Sequence, residues 1–318
     1  MEYQMNLHTE PKLFSDTLRA ASQFLSIKLE FVEKDYWITL ILSRLASSKY
    51  LPLTVFKGGT SLSKGYQLIN RFSEDIDIAV LDVENKSGNE IKKLLRSVEK
   101  EITRDLREIT IEGLTSKGSK FRKSVFGYNS IDQFNANNKV IVEINSFEST
   151  CSFTIVPVQI LVYDFLVRSG NEQYVKPYGL NPVEIHIQSK ERTLLEKIIS
   201  LIRFSYDKNY IEALSAKIRH FYDLHFLLID KECAAYIASD TFTEDLHELL
   251  THDKISFDEP AGWAAKSLAD SPLITNFYEI WSALKSRYQS ELSGLAYRPI
   301  PDENDVAISF YDIISRLR

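Results

Sequence analysis

Cysteine is scarce in this sequence of 318 residues, which holds only Cys151 and Cys233. The two are far apart and stand in no metal-ligand spacing, and the six histidines form neither an HxxxH pattern nor a pair with a cysteine. These absences argue against a zinc site. No signal peptide is visible, so the scarcity of cysteine predicts a cytoplasmic protein with reduced thiols.

Long apolar runs and an excess of positive charge are also missing. The longest apolar stretches, such as 37–45, are too short and too interrupted to span a bilayer, so no membrane association is expected. The net charge of −6 argues against an ordinary electrostatic nucleic-acid binder, although Lys117, Lys120, Arg122 and Lys123 form a short basic patch. A Walker A run, a Gly-x-Ser-x-Gly elbow and a Rossmann fingerprint are absent, which argues against the enzyme classes that depend on them.

The hydrophobic periodicity predicts an α+β protein. A mixed sheet with flanking helices is expected in the amino-terminal half, as a domain over 1–185, and a helical bundle over 186–318. The predicted strands are 53–56, 75–81, 108–114, 121–128, 139–146 and 183–187. The predicted helices are 14–25, 30–46, 60–69, 89–106, 190–206, 208–229, 242–251, 274–290 and 304–317.

A glycine pair follows the first predicted strand, in the run FKGGTS at 56–61. Gly58 and Gly59 allow a phosphate to approach the backbone closely, and the helix expected to begin at Thr60 or Ser61 directs free N–H groups toward the same place. The alternative is an ordinary glycine turn with a helix cap.

Two acids stand two residues apart at the start of the second predicted strand. Because residues i and i+2 share a face, Asp75 and Asp77 point the same way while Ile76 points into the core. Adjacent carboxylates repel each other unless a cation lies between them, and carboxylate and phosphate oxygens are ligands that Mg²⁺ prefers. The alternative is a solvated strand end with two surface acids.

A third acid, Glu143, lies inside the apolar strand predicted over 139–146. A buried carboxylate needs a partner, and a metal ion shared with Asp75 and Asp77 would supply one. The alternative places Glu143 on the solvent face of an edge strand.

Taken together, the turn and the acids resemble the DNA polymerase β-type nucleotidyltransferase fold. Five ordered motifs are more specifically similar to the AbiEii/AbiGii toxin family of nucleotidyltransferases. They are EKDYW at 33–37, FKGGTSLSKGY at 56–66, RFSEDID at 71–77, RTLLEK at 192–197 and RHFYDL at 219–224.

The resemblance implies roles for individual residues. Asp75 and Asp77 are expected to be catalytic and to bind metal, and Lys197 and Asp223 are expected to complete the active site from the helical half. The expectation that Glu143 is the third metal ligand rests on the argument from its place inside an apolar strand. The nucleotide is expected to contact Lys57, Gly58, Gly59, Thr60, Ser61, Lys64, Arg71 and Ser73. Two Mg²⁺ ions are the expected cofactors, with Mn²⁺ as the alternative, because two metals clamp the attacking and leaving oxygens of a nucleotidyl transfer.

The helical residues also have simpler interpretations. Lys197 is spaced to pair with Glu191 or Glu196 on its own helix, and Asp223 follows Arg219 by four residues, which suits an ion pair. Asp223 would then be structural and orient Arg219 or Lys197. Asp35 is expected to be a helix-packing acid that reaches toward the site.

The function predicted from the sequence is therefore transfer of a nucleoside monophosphate from an NTP to an acceptor. By resemblance the acceptor is RNA, such as the 3′ end of tRNA, and the protein is the toxin of a toxin–antitoxin or phage-defence pair whose antitoxin carries a winged-helix domain. The alternatives are transfer to a protein hydroxyl or a small molecule, and a non-catalytic NTP-binding module.

Overall fold

The computed structural model describes residues 5–73, 75–132, 138–146 and 152–317. The chain forms two compact units. The first, called the sheet unit, holds Met1–Gln67 and Phe72–Gln188, and the second, called the helical unit, holds Ser189–Arg318 together with the short segment Leu68–Arg71. The main division falls three residues beyond the predicted domain boundary, and the segment 68–71 was not expected in the helical unit.

One mixed sheet forms the frame of the sheet unit. Its strands are β1 (Thr54–Lys57), β2 (Asp75–Val80), β3 (Arg107–Ile109), β4 (Ser116–Lys117), β5 (Phe121–Gly127), β6 (Lys139–Asn145), β7 (Phe153–Val158) and β8 (Val183–Gln188). They are arranged in the order β3-β5-β6-β2-β1-β8-β7, with β4 paired to β5. The pairs β2–β6 and β1–β8 are parallel and the other pairs are antiparallel.

Five helices belong to the sheet unit: α1 (Pro11–Leu25), α2 (Leu29–Ala46), α3 (Gly58–Lys64), α4 (Gly88–Ile102) and α5 (Leu161–Arg168). Of these, α2 packs on β6 and β8, α4 packs on β5 and β6, and α3 joins β1 to the region of β2. The β-branched and aromatic residues of the central strands, such as Phe56, Ile76 and Val142, are fully buried. Burial of such side chains contributes about 1.5–3 kcal/mol each, which explains why the central strands are apolar.

Helix α4 shows how local sequence sets the element boundaries. Ser87 accepts a hydrogen bond from the Glu90 N–H, and the Glu90 carboxylate accepts one from the Ser87 N–H, so a complete capping box begins the helix. Leu95, Val98 and Ile102 are fully buried at helical spacing. The opposite face of the helix is charged and exposed.

The helical unit contains α6 (Lys190–Phe204), α7 (Tyr210–Ser215), α8 (Ile218–Ile229), α9 (Lys231–Ile237), α10 (Asp240–Ser256), α11 (Pro272–Thr275), α12 (Phe277–Leu295) and α13 (Glu303–Ser315). Helix α8 packs against α6, α12 and α13. An aromatic cluster fills this core, in which Phe221 lies 4.8 Å from Phe310 and 5.2 Å from Trp281 between ring centroids.

The predicted α+β class, with one mixed sheet followed by a helical part, is confirmed. Several elements differ from the prediction. The helix after the glycine turn ends at Lys64 instead of 69, the helix predicted at 208–229 is interrupted between α7 and α8, and β7, α5 and α9 were not predicted. The third predicted strand is only Arg107–Ile109. None of the described helices combines the length and the apolar character that a membrane span requires. Cys233 is a buried free thiol, and Cys151 lies outside the described residues.

Candidate active site

The glycine turn lies directly against the acidic strand. Strand β1 ends at Lys57, α3 begins at Gly58, and Lys57 is the antiparallel partner of Asp77. Gly58 has a φ of +78°, and a Cβ built on it would lie 2.1 Å from the Asp77 Oδ2 atom. Glycine is therefore required at 58 both by its backbone conformation and by the carboxylate beside it.

Thr60 and Ser61 lie inside the first turn of α3, because the helix begins at Gly58 rather than at either of them as predicted. The Thr60 Oγ1 donates to the Asp75 carbonyl oxygen at 2.5 Å. The Ser61 hydroxyl is buried and donates to the Gly58 carbonyl oxygen at 2.8 Å. Both hydroxyls therefore hold the turn in shape, and the Thr60 bond also ties it to the backbone of the acidic strand.

The two aspartates of β2 have the predicted orientation. Asp75 and Asp77 are partly exposed, while Ile76 and Ile78 are fully buried on the opposite face. Strand β2 pairs in parallel with β6, which places Asp77 opposite Glu143. Glu143 is in turn opposite Lys123 on β5. Residues in register on neighbouring strands share a face, so these four polar side chains form one surface, called here the acidic face.

Glu143 lies on a central strand of the sheet, so the alternative of an edge strand is wrong. Its carboxylate pairs with the Lys123 ammonium at 2.6 Å. Burial alone would lower the pKa of Lys123, but the hydrogen bond from Lys123 to Glu143 and the charges of Glu143, Asp75 and Asp77 raise that pKa. Lys123, which the sequence placed in a basic patch, is thus a cation that faces the three acids, and Lys57, in register with Asp77 on β1, shares that face.

The chemistry of Asp75 and Asp77 suits Mg²⁺, since both offer hard carboxylate oxygens on one face beside a glycine turn. A set of three ligands is not formed, however. Within the described ranges, no group of three or more His, Cys, Asp or Glu side chains is arranged to hold a metal ion. Glu143 lies beside Asp77 as expected, but its partner in the structure is Lys123 and not a shared metal site.

Lys64, predicted to contact the nucleotide, forms an ion pair in the structure, and its nucleotide contact stays a prediction. Its ammonium donates to the Asp35 carboxylate at 2.5 Å and to the Gln159 carbonyl oxygen at 2.8 Å. Asp35 also accepts from the Leu161 N–H at 2.8 Å, so this pair joins α2, α3 and the start of α5. Lys64 therefore holds the helix after the glycine turn, as a positioning residue.

Arg71 belongs to the helical unit, although it stands only four residues before Asp75 in the sequence. Its Nε and Nη2 atoms donate to the two carboxylate oxygens of Asp223, each at 2.7 Å. The neighbouring backbone is held as well, since the Asn70 N–H donates to the Tyr222 hydroxyl and the Tyr297 N–H donates to the Asn70 carbonyl oxygen. Ser73, also predicted to contact the nucleotide, is buried. Glu74, which follows it in the sequence, lies outside the described residues.

Asp223 accepts from a second cation, Lys197, at 2.8 Å. The ion pairs that the local spacing suggested are therefore wrong: Lys197 does not pair with an acid of its own helix, and Arg219 pairs with Glu291 instead of Asp223. The contact between Asp223 and Lys197 does agree with the structural interpretation of Asp223, in which it orients that lysine. Burial alone would raise the pKa of Asp223, but the charges and hydrogen bonds of Arg71 and Lys197 hold it well below its usual range. The predicted catalytic roles of Lys197 and Asp223 stay predictions; the described geometry is a buried ion cluster.

His220 lies in the RHFYDL motif but was not predicted as a site residue, and it adjoins the same cluster. Burial and the charge of Lys197 lower the pKa of His220 well below its usual range, so its imidazole is neutral at pH 7. Its Nδ1 atom is buried and has no hydrogen-bond partner among the described residues. The cluster of Arg71, Lys197, Asp223 and His220 therefore carries two cations for one carboxylate.

Comparisons with known proteins agree with the resemblance noted from the motifs. The family model of the nucleotidyl transferase AbiEii toxin, of a type IV toxin–antitoxin system, matches residues 40–302. No curated protein sequence matches the chain. Among solved structures, the nucleotidyltransferase toxin MenT4 from Mycobacterium tuberculosis H37Rv is similar, with 14% sequence identity, coverage of 95% of this chain and 99% of that chain, and a TM-score of 0.43.

Proposed function

The chain belongs to the AbiEii family of nucleotidyltransferase toxins of type IV toxin–antitoxin systems, and we propose that it moves a nucleoside monophosphate from an NTP to RNA. The observation that carries the proposal is the contact between the glycine turn and the acidic face. Asp77 lies where a side chain at Gly58 would be, so phosphates held at the turn are next to a carboxylate.

In the proposed reaction, an acceptor hydroxyl oxygen forms a new bond to the α-phosphorus, and the bond from that phosphorus to the bridging oxygen of pyrophosphate breaks. Gly58 and Gly59 carry no side chain, so the triphosphate can approach the backbone closely. Asp75 and Asp77 hold the divalent cations, and Ile76 anchors their strand in the core. When bound, Mg²⁺ neutralises the charge on the phosphates and aligns the attacking and leaving oxygens.

Lys123 and Glu143 have a separate role in this proposal. We propose that Glu143 pairs with Lys123, because the Glu143 carboxylate and the Lys123 ammonium are 2.6 Å apart, and that Asp75 and Asp77 bind the metal without it. Lys123 neutralises the charge of Glu143, which limits the repulsion among the three acids before a cation binds. Lys197 and Asp223 remain predicted contributors on the resemblance alone.

The proposed biological setting follows from the family. A toxin of a type IV system has an antitoxin partner, and we propose that this partner carries a winged-helix domain and that the pair acts in phage defence in the cytoplasm. The proposed acceptor is the 3′ end of tRNA.

The experiment is incubation of the protein with each of the four α-labelled NTPs, Mg²⁺ and total RNA. Label on RNA in the position of tRNA supports the proposal. Label on protein or on a small molecule instead supports the alternative acceptors, and no label with any NTP supports a non-catalytic NTP-binding module. The same incubation is repeated with Asp77→Asn, which changes an acid of the proposed site. The matched control for that variant is Asp312→Asn, which changes an exposed acid of α13.

A further inference from the structure

Helix α4 and the strands β3, β4 and β5 border a cleft of about 360 Å³ with a mostly basic lining. It is called the basic cleft, and its charged residues are Lys92, Arg96, Glu99, Lys100, Glu108, Lys117 and Arg122. Five cations therefore face two carboxylates in a chain whose net charge is −6. The cleft is therefore locally positive, whereas the chain as a whole is negatively charged.

Both carboxylates are neutralised by cations of the cleft. Glu99 is buried and accepts from the Arg122 Nε at 3.0 Å and from the Ser124 hydroxyl at 2.5 Å. Glu108 pairs with Lys117. These two pairs use two of the five cations and both acids, and the Glu99–Arg122 pair forms a rigid, buried part of the lining.

The other three cations, Lys92, Arg96 and Lys100, are exposed on α4. Over the part of the chain that the structure describes, no carboxylate lies within ion-pair distance of any of them. They follow one another at intervals of four residues, so they form a stripe about 12 Å long on one face of the helix. Three unpaired cations along a line suit an extended polyanion better than a single phosphate.

We propose that the basic cleft binds the phosphate backbone of the RNA acceptor. This inference rests on the proposed function for the identity of the polyanion. Phe126, the aromatic residue in the lining, is only 5% exposed, so base stacking contributes little and the cleft binds RNA without regard to sequence.

The basic cleft is separated from the acidic face by the thickness of the sheet. Arg122 and Lys123 are consecutive on β5, and Arg122 points to Glu99 on α4 whereas Lys123 points to Glu143. RNA held by α4 must therefore pass around the edge of the sheet to reach Asp77. We therefore expect a folded RNA, and not a short oligonucleotide, to contact both places at once.

The test replaces the stripe with the triple variant Lys92→Gln, Arg96→Gln, Lys100→Gln. The control variant is Lys12→Gln, Lys231→Gln, Lys285→Gln, which removes the same charge at exposed positions outside the cleft. Binding of fluorescent tRNA is measured by anisotropy without NTP at several salt concentrations. For the cleft variant, the slope of log affinity against log salt is expected to fall in magnitude by about 2–3, because each phosphate contact contributes about 0.7–1. The control is expected to keep the slope of the wild type.

The proposal would be overturned if both variants lost tRNA affinity equally, or if the cleft variant lost none. It is also overturned if the cleft variant binds tRNA normally but loses binding to vesicles of phosphatidylserine and phosphatidylcholine. In transfer assays, the KM for tRNA is expected to rise at least about tenfold with kcat unchanged, whereas the KM for a short oligoribonucleotide stays constant. Because binding of tRNA is measured without NTP, the proposal for the cleft and the proposed function can fail separately. If tRNA binds through the cleft but no nucleotide is transferred, the proposed function is refuted and the proposal for the cleft is not.

Discussion

Removing the charge of Asp223 tests the ion cluster of the helical unit. Asp223 is fully buried, accepts two hydrogen bonds from Arg71 and is paired with Lys197. The substitution Asp223→Asn keeps the size of the side chain and leaves two buried cations without their carboxylate. Breaking a buried pair by removing one partner costs about 3–5 kcal/mol. We expect a loss of unfolding free energy at the upper end of that range, because two cations lose the same partner.

The loss is expected to depend on pH in a defined direction. The pKa of Asp223 is held well below its usual range in the folded protein. A lowered pKa means that the pair stabilises the fold fully above the ordinary pKa of an aspartate and loses its effect as the pH falls through the lowered value. The difference between wild type and variant should therefore be constant above about pH 5 and shrink progressively as the pH falls below that value.

Urea unfolding followed by far-UV circular dichroism and by tryptophan fluorescence measures the loss. Two probes are needed because the chain has two compact units and unfolding in one step is not assured. The control Asp312→Asn, at an exposed position of α13, is expected to change the unfolding free energy by less than about 0.5 kcal/mol. An Asp223→Asn protein that unfolds at the wild-type urea concentration would refute the reasoning.

The remaining predictions concern the turn and the acidic face. Gly58→Ala is expected to reduce the rate of transfer at least about 100-fold, because the new Cβ would be 2.1 Å from the Asp77 carboxylate at a residue with a positive φ. Steady-state kinetics measure the rate. The control is Gly88→Ala, because a Cβ at residue 88 meets nothing within 4 Å. Equal rates in the two variants would contradict the turn assignment. Lys123→Gln removes a positive charge from beside the acids, so the Mg²⁺ concentration that gives half-maximal transfer is expected to fall; a rise would show that Lys123 does not oppose the metal.

Much of the sheet unit could be predicted from the sequence because its signals are local. The alternation around Ile76 predicts which face of β2 carries Asp75 and Asp77, and the glycine pair predicts the turn before α3. By contrast, β7 contains Pro157 and α5 is only eight residues long, and neither was predicted. The helix after the turn ends at Lys64 with Gly65 as its C-cap, a local signal that the prediction of a helix to 69 did not use. The assignment of Leu68–Arg71 to the helical unit, by contrast, depends on contacts distant in the sequence.

The partners of the charged residues could not be predicted, because they depend on register and on distant contacts. Lys123 meets Glu143 only through the pairing of β5 with β6. Arg71 and Asp223 are separated by 152 residues in the chain. The local spacing of Arg219 and Asp223 pointed to a pair within one helix, and the tertiary structure gives each of them a different partner. The sequence therefore predicts which residues are candidates for the site and on which elements they lie, but it does not predict their ion-pair partners.

The central claim is that the acidic face and the glycine turn transfer a nucleoside monophosphate. The most direct measurement compares α-labelled with γ-labelled NTP in otherwise identical reactions with RNA and Mg²⁺, for the wild type and Asp77→Asn. The account predicts that wild-type protein attaches the α-label to RNA and releases the γ-label as pyrophosphate, and that Asp77→Asn does neither. Attachment of the γ-label, or transfer by Asp77→Asn at the wild-type rate, would contradict it.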